Sequence, residues 1–207
     1  MGRLWNRYIR WVMKKISSTG LEQELNQSEV TGELVFPEIA AVARQMAAEG
    51  IVLLKNEGNT LPLSANDTVA VFGRCAVDYF TVGYGSGGDV ITPYRRNLME
   101  GLRENGVHLY EPLAQRYNKW RSSPKNEPDE GFWGNWPMNH PEMQLKLKTV
   151  AEASANSDVA LVIIGRAAGE DRENLLKKGS FYLTDREKSM LELVTAHFNR
   201  VAVIMAC

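Results

Sequence analysis

Three acidic residues and one arginine follow one another within the segment GRAAGEDREN, at positions 165–174. They are Glu170, Asp171, Arg172 and Glu173. A carboxylic acid that donates a proton near neutral pH needs a raised pKa, and neighbouring negative charge and partial burial both raise it. The cluster is therefore a candidate general acid, and a solvated charged loop is the alternative.

A second candidate segment is GYGSGGD, at positions 83–89. Its glycines match the pattern G-x-G-x-x-G that cradles a pyrophosphate: Gly83, Gly85 and Gly88. Glu111 follows where a ribose-binding acid would lie, so a nucleotide site is one interpretation. Two features oppose it, because the glycines do not directly follow the apolar run 69–72, and Thr92 and Pro93 intervene before the next helix. A turn that needs glycine conformations is the other interpretation.

Short apolar runs alternate with amphipathic stretches along the rest of the chain. Helical spacing and capping residues predict helices over 37–50, 95–105 and 141–156, and a further helix after the capping box of Thr184 and Glu187. Apolar runs predict strands at 51–54, 69–72, 107–110, 159–164 and 201–206. This alternation predicts an α/β fold with a mostly parallel sheet flanked by helices.

The apolar pattern also predicts which parts of these elements are buried. The runs 159–164 and 201–206 are apolar throughout, which is typical of strands that are buried on both faces. In the predicted helix 141–156, the spacing places four residues toward the core: Met143, Leu147, Val150 and Ala151.

The predicted sheet brings the two candidate segments to one edge. Ligands of open parallel sheets bind beside the carboxyl ends of the strands, which selects the loops 73–94, 111–141 and 165–183. Glycoside hydrolysis is one reaction that places a proton-donating carboxyl opposite a second carboxylate.

Three segments together resemble glycoside hydrolase family 3, in its second domain, the α/β sandwich. They are AVARQMAAEGIVLLKNEGNTLPL at 41–63, VAVFGRCAVDYFTVGYGSGGDV at 69–90, and DVALVIIGRAAGEDRENLLKKGSFYLTDREKSMLELV at 158–194. The resemblance covers roughly residues 37–207, with 118–141 poorly matched. It implies an (α/β)6-sandwich-like fold that is incomplete after the last run, 201–206.

The resemblance implies a role for several residues. Glu170 corresponds to the general acid/base of the family, with Asp171 as the fallback, and Ser86 corresponds to a serine that the glycine-rich loop offers to the sugar. Asp171 and Arg172 match a neighbouring substrate-binding Asp-Arg pair. The implied reaction is hydrolysis of a β-linked glycoside or oligosaccharide, most often a β-glucoside, with retention and with no cofactor or metal.

In this family the nucleophilic aspartate lies on a TIM barrel, which is the implied partner domain of the same enzyme. The sandwich begins near residue 37, so the resemblance is to members in which the sandwich comes first and the barrel last. We therefore expect the chain by itself to be inactive. A non-catalytic carbohydrate-binding or domain-docking module, and a nucleotide-binding domain, are the alternatives.

The stretch 118–141 is expected to be an irregular insertion. It contains four prolines and three tryptophans, namely Trp120, Trp133 and Trp136. Long irregular loops in a domain are usually functional. These tryptophans either stack on a sugar ring at an outer subsite or pack the insertion against the domain.

Residues 1–36 are expected to form a basic amphipathic segment followed by a linker. Residues 1–16 contain five basic residues and no acidic one, interleaved with apolar residues, which excludes a secretory signal. Such a helix lies on an anionic membrane or docks on a neighbouring domain. We expect docking, and we do not expect membrane contact by residues 1–16.

Composition excludes several other classes of protein. The 24 basic and 25 acidic residues give a net charge of −1, so the chain has no field that would attract nucleic acid. Cys75 and Cys207 cannot form a disulfide framework, which favours a cytoplasmic location. The histidines show no metal-ligand spacing: His108, His140 and His197.

Overall fold

The computed structural model of the chain describes residues 3–17, 36–80, 95–128, 137–167 and 175–207. The chain divides into two units, which are residues 1–56 with 91–95 and residues 57–90 with 96–207. Each unit is described by itself.

Among its described residues, the first unit contains two helices, α1 over Arg3–Ser17 and α2 over Pro37–Glu49. Helix α2 begins with a proline, whose fixed φ suits the first turn, and the N–H of Gly50 closes it on the carbonyl of Met46 at 2.9 Å. The predicted helix over 37–50 is therefore confirmed.

The prediction of a strand at 51–54 is wrong. The backbone there is irregular, and all four side chains are exposed. A strand exists by pairing with a neighbour. Within the described part of the chain no strand pairs with this run, so its apolar composition alone does not make it one.

The second unit is built on a parallel sheet in the order β2-β1-β3-β4. The strands are β1 (Thr68–Phe72), β2 (His108–Leu109), β3 (Val159–Gly165) and β4 (Val201–Ala206). Each lies at a predicted apolar run, and the α/β fold with a parallel sheet is confirmed.

Burial differs sharply between the two most apolar strands. All residues of β3 are buried, because β1 and β4 flank it and helices cover it. Strand β4 lies at an edge of the sheet, and Val203 and Met205 are about half exposed, at 47% and 49%. The prediction that 201–206 is buried on both faces is therefore wrong. Apolar composition predicted the strand but not its place at the edge.

In the part of this unit that the structure describes, four helices flank the sheet: α3 (Leu98–Glu104), α4 (Glu111–Arg121), α5 (Leu147–Ala155) and α6 (Asp185–His197). Helix α6 begins at the predicted capping box, in which Thr184 and Glu187 satisfy each other's backbone N–H groups. Helix α3 starts later than predicted because Asn97 forms a capping box with Glu100. Helix α4 was not predicted, and it continues into the range 118–141 that we expected to be irregular.

The core lies on both faces of β1 and β3. Phe72 of β1 packs edge-to-face on Phe198, with ring centroids 5.7 Å apart. In α5, Val150 and Ala153 are buried, whereas Leu147 and Ala151 are exposed. The predicted face is partly wrong because α5 begins only at Leu147. Met143 is buried as predicted, but from extended backbone, so its spacing to Leu147 has no helical meaning.

Candidate functional site

Two adjacent strands send their connections to opposite sides of the sheet. The chain leaves β1 for β2 at one edge and leaves β3 for β4 at the other. The carboxyl ends of β1 and β3 therefore form a topological switch point, where open parallel sheets bind their ligands. The loops that leave this point include residues 81–94 and 168–174.

Most of the predicted site residues lie outside the described residues. These are Ser86, Glu170, Asp171 and Arg172, the three glycines Gly83, Gly85 and Gly88, and the tryptophans Trp133 and Trp136. The structure does show where both loops begin and how those positions are held.

Residues that precede 81–94 and 168–174 lie close together. Phe80 precedes residues 81–94, and Gly165 ends β3 just before residues 168–174. A Cβ added to Gly165 would lie 3.2 Å from Cδ2 of Phe80 and 2.2 Å from Sγ of Cys75. Only glycine permits this approach. The Phe80 ring also stacks on His140, with centroids 4.8 Å apart.

A second glycine sets the turn after β1. Gly73 has a φ of 105°, and a Cβ there would lie 2.1 Å from the carbonyl oxygen of Ile163. Its N–H donates to the hydroxyl of the buried Tyr117 at 2.9 Å. The turn thus passes directly against the backbone of β3.

Arg74 fixes the residues that follow this turn. Its side chain is 3% exposed, and Nε donates to Oδ2 of Asp78 at 2.8 Å. Nη1 donates to the carbonyl of Pro141 at 2.8 Å, and Nη2 donates to the carbonyl of Asn126. The guanidinium lies 5.1 Å from the ring centroid of Trp120. For Trp120 the geometry thus favours packing over sugar stacking.

Glu142 is a buried carboxylate beneath the same turn. Its Oε2 accepts the N–H of Arg74 at 2.6 Å, and its Oε1 accepts the N–H of Met143 at 2.7 Å. Burial raises the pKa of Glu142 to about 7, against the lowering effect of these two hydrogen bonds. Sequence reasoning missed this residue because its partner Arg74 is distant along the chain.

Arg166 holds the start of the other loop. It is 7% exposed, and its guanidinium forms a bidentate pair with Glu187 of α6 at 2.7 and 3.0 Å. Nε also donates to the carbonyl of Ser180 at 2.7 Å. Both sides of residues 168–174 are anchored: the N–H of Ala167 donates to Met138 at 2.7 Å, and that of Leu175 donates to Oγ of Ser180 at 2.9 Å.

Arg74, Glu142 and Arg166, with the groups that they contact, form a supporting frame and not a pocket for a sugar. The cavity that they line, between Arg74, His140 and Glu187, has a volume of about 10 Å³. A space of that size takes at most one water molecule.

Glu111, the acid that the nucleotide interpretation requires, is already paired. Arg103 donates to both of its carboxylate oxygens at 2.8 Å, and this lowers the pKa of Glu111. Its carboxylate serves to join α3 to α4. Among the described residues no group of three or more metal-ligating side chains comes together, and no helix in that part of the chain is long and apolar enough to cross a membrane.

A parallel sheet whose connections reverse between β1 and β3 defines an open α/β domain, the class of fold that has a topological switch point. Residues 51–207 match the model of the glycosyl hydrolase family 3 C-terminal domain. The chain belongs to this family, as the sequence resemblance implied.

Relatives of the chain are named β-glucosidases. It is 38% identical over 173 residues to a β-glucosidase from Ruminococcus albus, covering 84% of this chain and 18% of that protein. It is 33% identical over 204 residues to β-glucosidase A from Butyrivibrio fibrisolvens, covering 87% of this chain and 23% of that protein. The chain thus spans about a fifth of the length of these relatives.

Solved structures of β-glucosidases are also similar to this chain. A β-glucosidase from Paenibacillus barengoltzii is 47% identical with a TM-score of 0.75, over 79% of this chain and 18% of that one. β-Glucosidase 3B from Thermotoga neapolitana, solved with α-D-glucose, is 31% identical with a TM-score of 0.70, over 82% of this chain and 24% of that one.

Proposed function

We propose that this chain is the acid/base part of a retaining β-glycosidase of the β-glucosidase type. The observation that carries the proposal is the contact between Phe80 and Gly165, at the roots of the loops that contain Ser86 and Glu170. It lies at the switch point of a family domain whose relatives are named β-glucosidases.

In this proposal Glu170 protonates the leaving oxygen of the glycoside and then deprotonates the attacking water. Asp171 is the fallback acid. Ser86 hydrogen-bonds a hydroxyl of the sugar, and Asp171 and Arg172 also bind the substrate. A retaining mechanism requires the two catalytic carboxyl groups to be roughly 5–5.5 Å apart.

The frame supports this role by fixing the residues that precede 81–94 and the residues on both sides of 168–174. Arg166 ties the end of β3 to α6 through a buried pair, and Arg74 and Glu142 hold the turn after β1. General acid catalysis depends on a short and constant distance between the acid and the leaving oxygen. Rigid anchors next to residues 168–174 provide that constancy.

The nucleophile of the proposed enzyme comes from a TIM barrel outside residues 1–207. A half-site without its nucleophile cannot form the glycosyl-enzyme intermediate. We therefore expect residues 1–207 alone to give negligible turnover of an aryl β-glucoside.

A chimera tests the proposal. Residues 51–207 replace the matching segment of the Ruminococcus albus β-glucosidase, and hydrolysis of aryl β-glucosides is measured. We expect the chimera to be active. Glu170→Gln should lower its kcat/KM for aryl β-glucosides with poor leaving groups by about 10²–10⁴-fold, the range of general acid catalysis.

Glu173→Gln in the same chimera is the matched control, since it removes a neighbouring charge and should leave most activity. An inactive chimera, or equal losses in both variants, contradicts the proposal. Calorimetry of the 207-residue chain with glucose, cellobiose and NAD separates the alternatives: NAD binding would indicate a nucleotide domain, and sugar binding with an inactive chimera would indicate a carbohydrate-binding module.

We also assign the enzyme to the cytoplasm. Both cysteines are free thiols, Cys75 buried and Cys207 exposed, as is usual in a reducing compartment. Fractionation of cells that express the natural gene tests this assignment.

A further inference from the structure

Helix α1, Arg3–Ser17, is a feature that the glycosidase proposal does not use. The family match begins at residue 51, well after this helix ends. The helix contains five basic residues and no acidic one. Its role therefore has to be inferred from its own chemistry.

The basic and the apolar residues of α1 lie on separate faces of the helix. Positions three, four, seven and eleven apart share a face of an α-helix. One such row is entirely basic, consisting of Arg3, Arg7, Arg10 and Lys14. Two neighbouring rows are apolar, one with Leu4, Tyr8 and Trp11 and the other with Trp5, Ile9, Val12 and Ile16. Only Lys15 extends the first apolar row with a charge, at the end of the helix.

The aromatic side chains of the apolar face are exposed. Trp5, Tyr8 and Trp11 are 50%, 56% and 58% exposed. Their rings form a row along the helix, with centroids 6.0 Å apart for Trp5 and Tyr8 and 6.2 Å apart for Tyr8 and Trp11. A single helix of this length is marginal in water, so a surface that buries this row would stabilise it.

We propose that α1 lies in the interface of an anionic lipid bilayer, with the aromatic row toward the acyl chains and the basic row toward the headgroups. A wide apolar face with tryptophan and tyrosine, beside a purely basic face, is the pattern of interfacial helices. The sequence alone favoured docking on a domain. The folded helix adds a second apolar row and the exposed row of aromatic side chains, and the basic row complements the charge of anionic headgroups.

Vesicle flotation of the intact 207-residue chain tests this proposal. The chain should float with vesicles of phosphatidylglycerol and phosphatidylcholine and should not float with phosphatidylcholine alone. Binding should weaken as ionic strength rises, because salt screens the attraction of the basic row to the headgroups.

Variants assign the binding to α1. Arg7→Gln and Lys14→Gln should each weaken binding about fivefold, the effect of about 1 kcal/mol per basic residue near an anionic surface. Trp5→Ala combined with Trp11→Ala should weaken it at least as much. Lys188→Gln and Phe181→Ala, at exposed positions outside α1, are the charge and aromatic controls and should bind like the unmodified chain.

Circular dichroism melting of every variant checks that the sheet-containing unit is intact. Flotation with neither vesicle type, equal flotation with both, or equal losses in the controls overturns the proposal. Self-association that Trp5→Ala with Trp11→Ala abolishes, in a chain that does not float, would show a protein contact instead. None of these results depends on glycosidase activity.

Discussion

Single residues beneath the loops set the electrostatics of the candidate site. Glu142 is a carboxyl group that burial holds at a pKa of about 7, and it accepts the backbone N–H of Arg74. Burial thus favours its protonated form, next to the turn that follows β1.

Glu142 should make the stability of the chain depend on pH. Its pKa in the folded state, about 7, exceeds its ordinary value of 4.5, so the folded state favours the protonated form. Its contribution to stability is complete below about pH 4.5 and is lost as pH rises through about 7. The loss amounts to about 3 kcal/mol, and urea unfolding at a series of pH values should show a flatter profile for Glu142→Gln.

Glu111→Gln is the matched control for this experiment. The pairing with Arg103 lowers the pKa of Glu111, so its contribution is present above its ordinary pKa and is lost as pH falls. Parallel profiles for the unmodified chain and Glu142→Gln would contradict the account of Glu142.

At this scale the sequence predicted some residues and not others. Glu170 and Ser86 were predicted from motifs that resemble a family, and both stay predictions because they lie outside the described residues. Arg74, Glu142 and Arg166 were missed, since their partners lie far away along the chain and only the fold brings them together. No local pattern marks a charge that will be buried.

Helices and strands were predicted correctly where residues close together in the sequence determine them. The capping box of Thr184 and Glu187 was predicted because its partners lie only three positions apart in the sequence. The strand at 51–54 and the buried face of 201–206 were mispredicted, since pairing and edge position depend on neighbours that the run itself does not contain. The parallel sheet was predicted from the alternation of elements, but its strand order was not.

The turn after β1 packs against β3 at Gly73, so the stability of the domain should depend strongly on this glycine. A methyl group there meets the carbonyl oxygen of Ile163 at 2.1 Å, and the φ of 105° is unfavourable for alanine. Gly73→Ala should lower the free energy of unfolding by about 3 kcal/mol or more. Denaturant unfolding measures this loss.

Gly101→Ala is the comparison within the same domain. Gly101 lies in α3 with open space around the Cβ position, so alanine should raise stability by about 0.5–1 kcal/mol. Equal effects of the two substitutions would contradict the close approach of the turn to β3.

In the proposed function, the whole molecule is one part of a divided active site. The chain belongs to the glycosyl hydrolase family 3 C-terminal domain and spans about a fifth of its relatives. The cavity beside the carboxyl ends of β1 and β3 has a volume of about 10 Å³ and is too small for a sugar. In the proposed function the substrate therefore binds outside this cavity, and a second domain supplies the nucleophile.

The central claim is that Glu170 transfers a proton to the leaving group, and a series of aryl β-glucosides tests it most directly in the chimera. A leaving group that needs no protonation, such as dinitrophenol, should make kcat/KM insensitive to Glu170→Gln. A poor leaving group, such as methoxyphenol, should lose about 10²–10⁴-fold. Equal losses for both substrates, or this selectivity in Asp171→Asn instead, would contradict the assignment of Glu170.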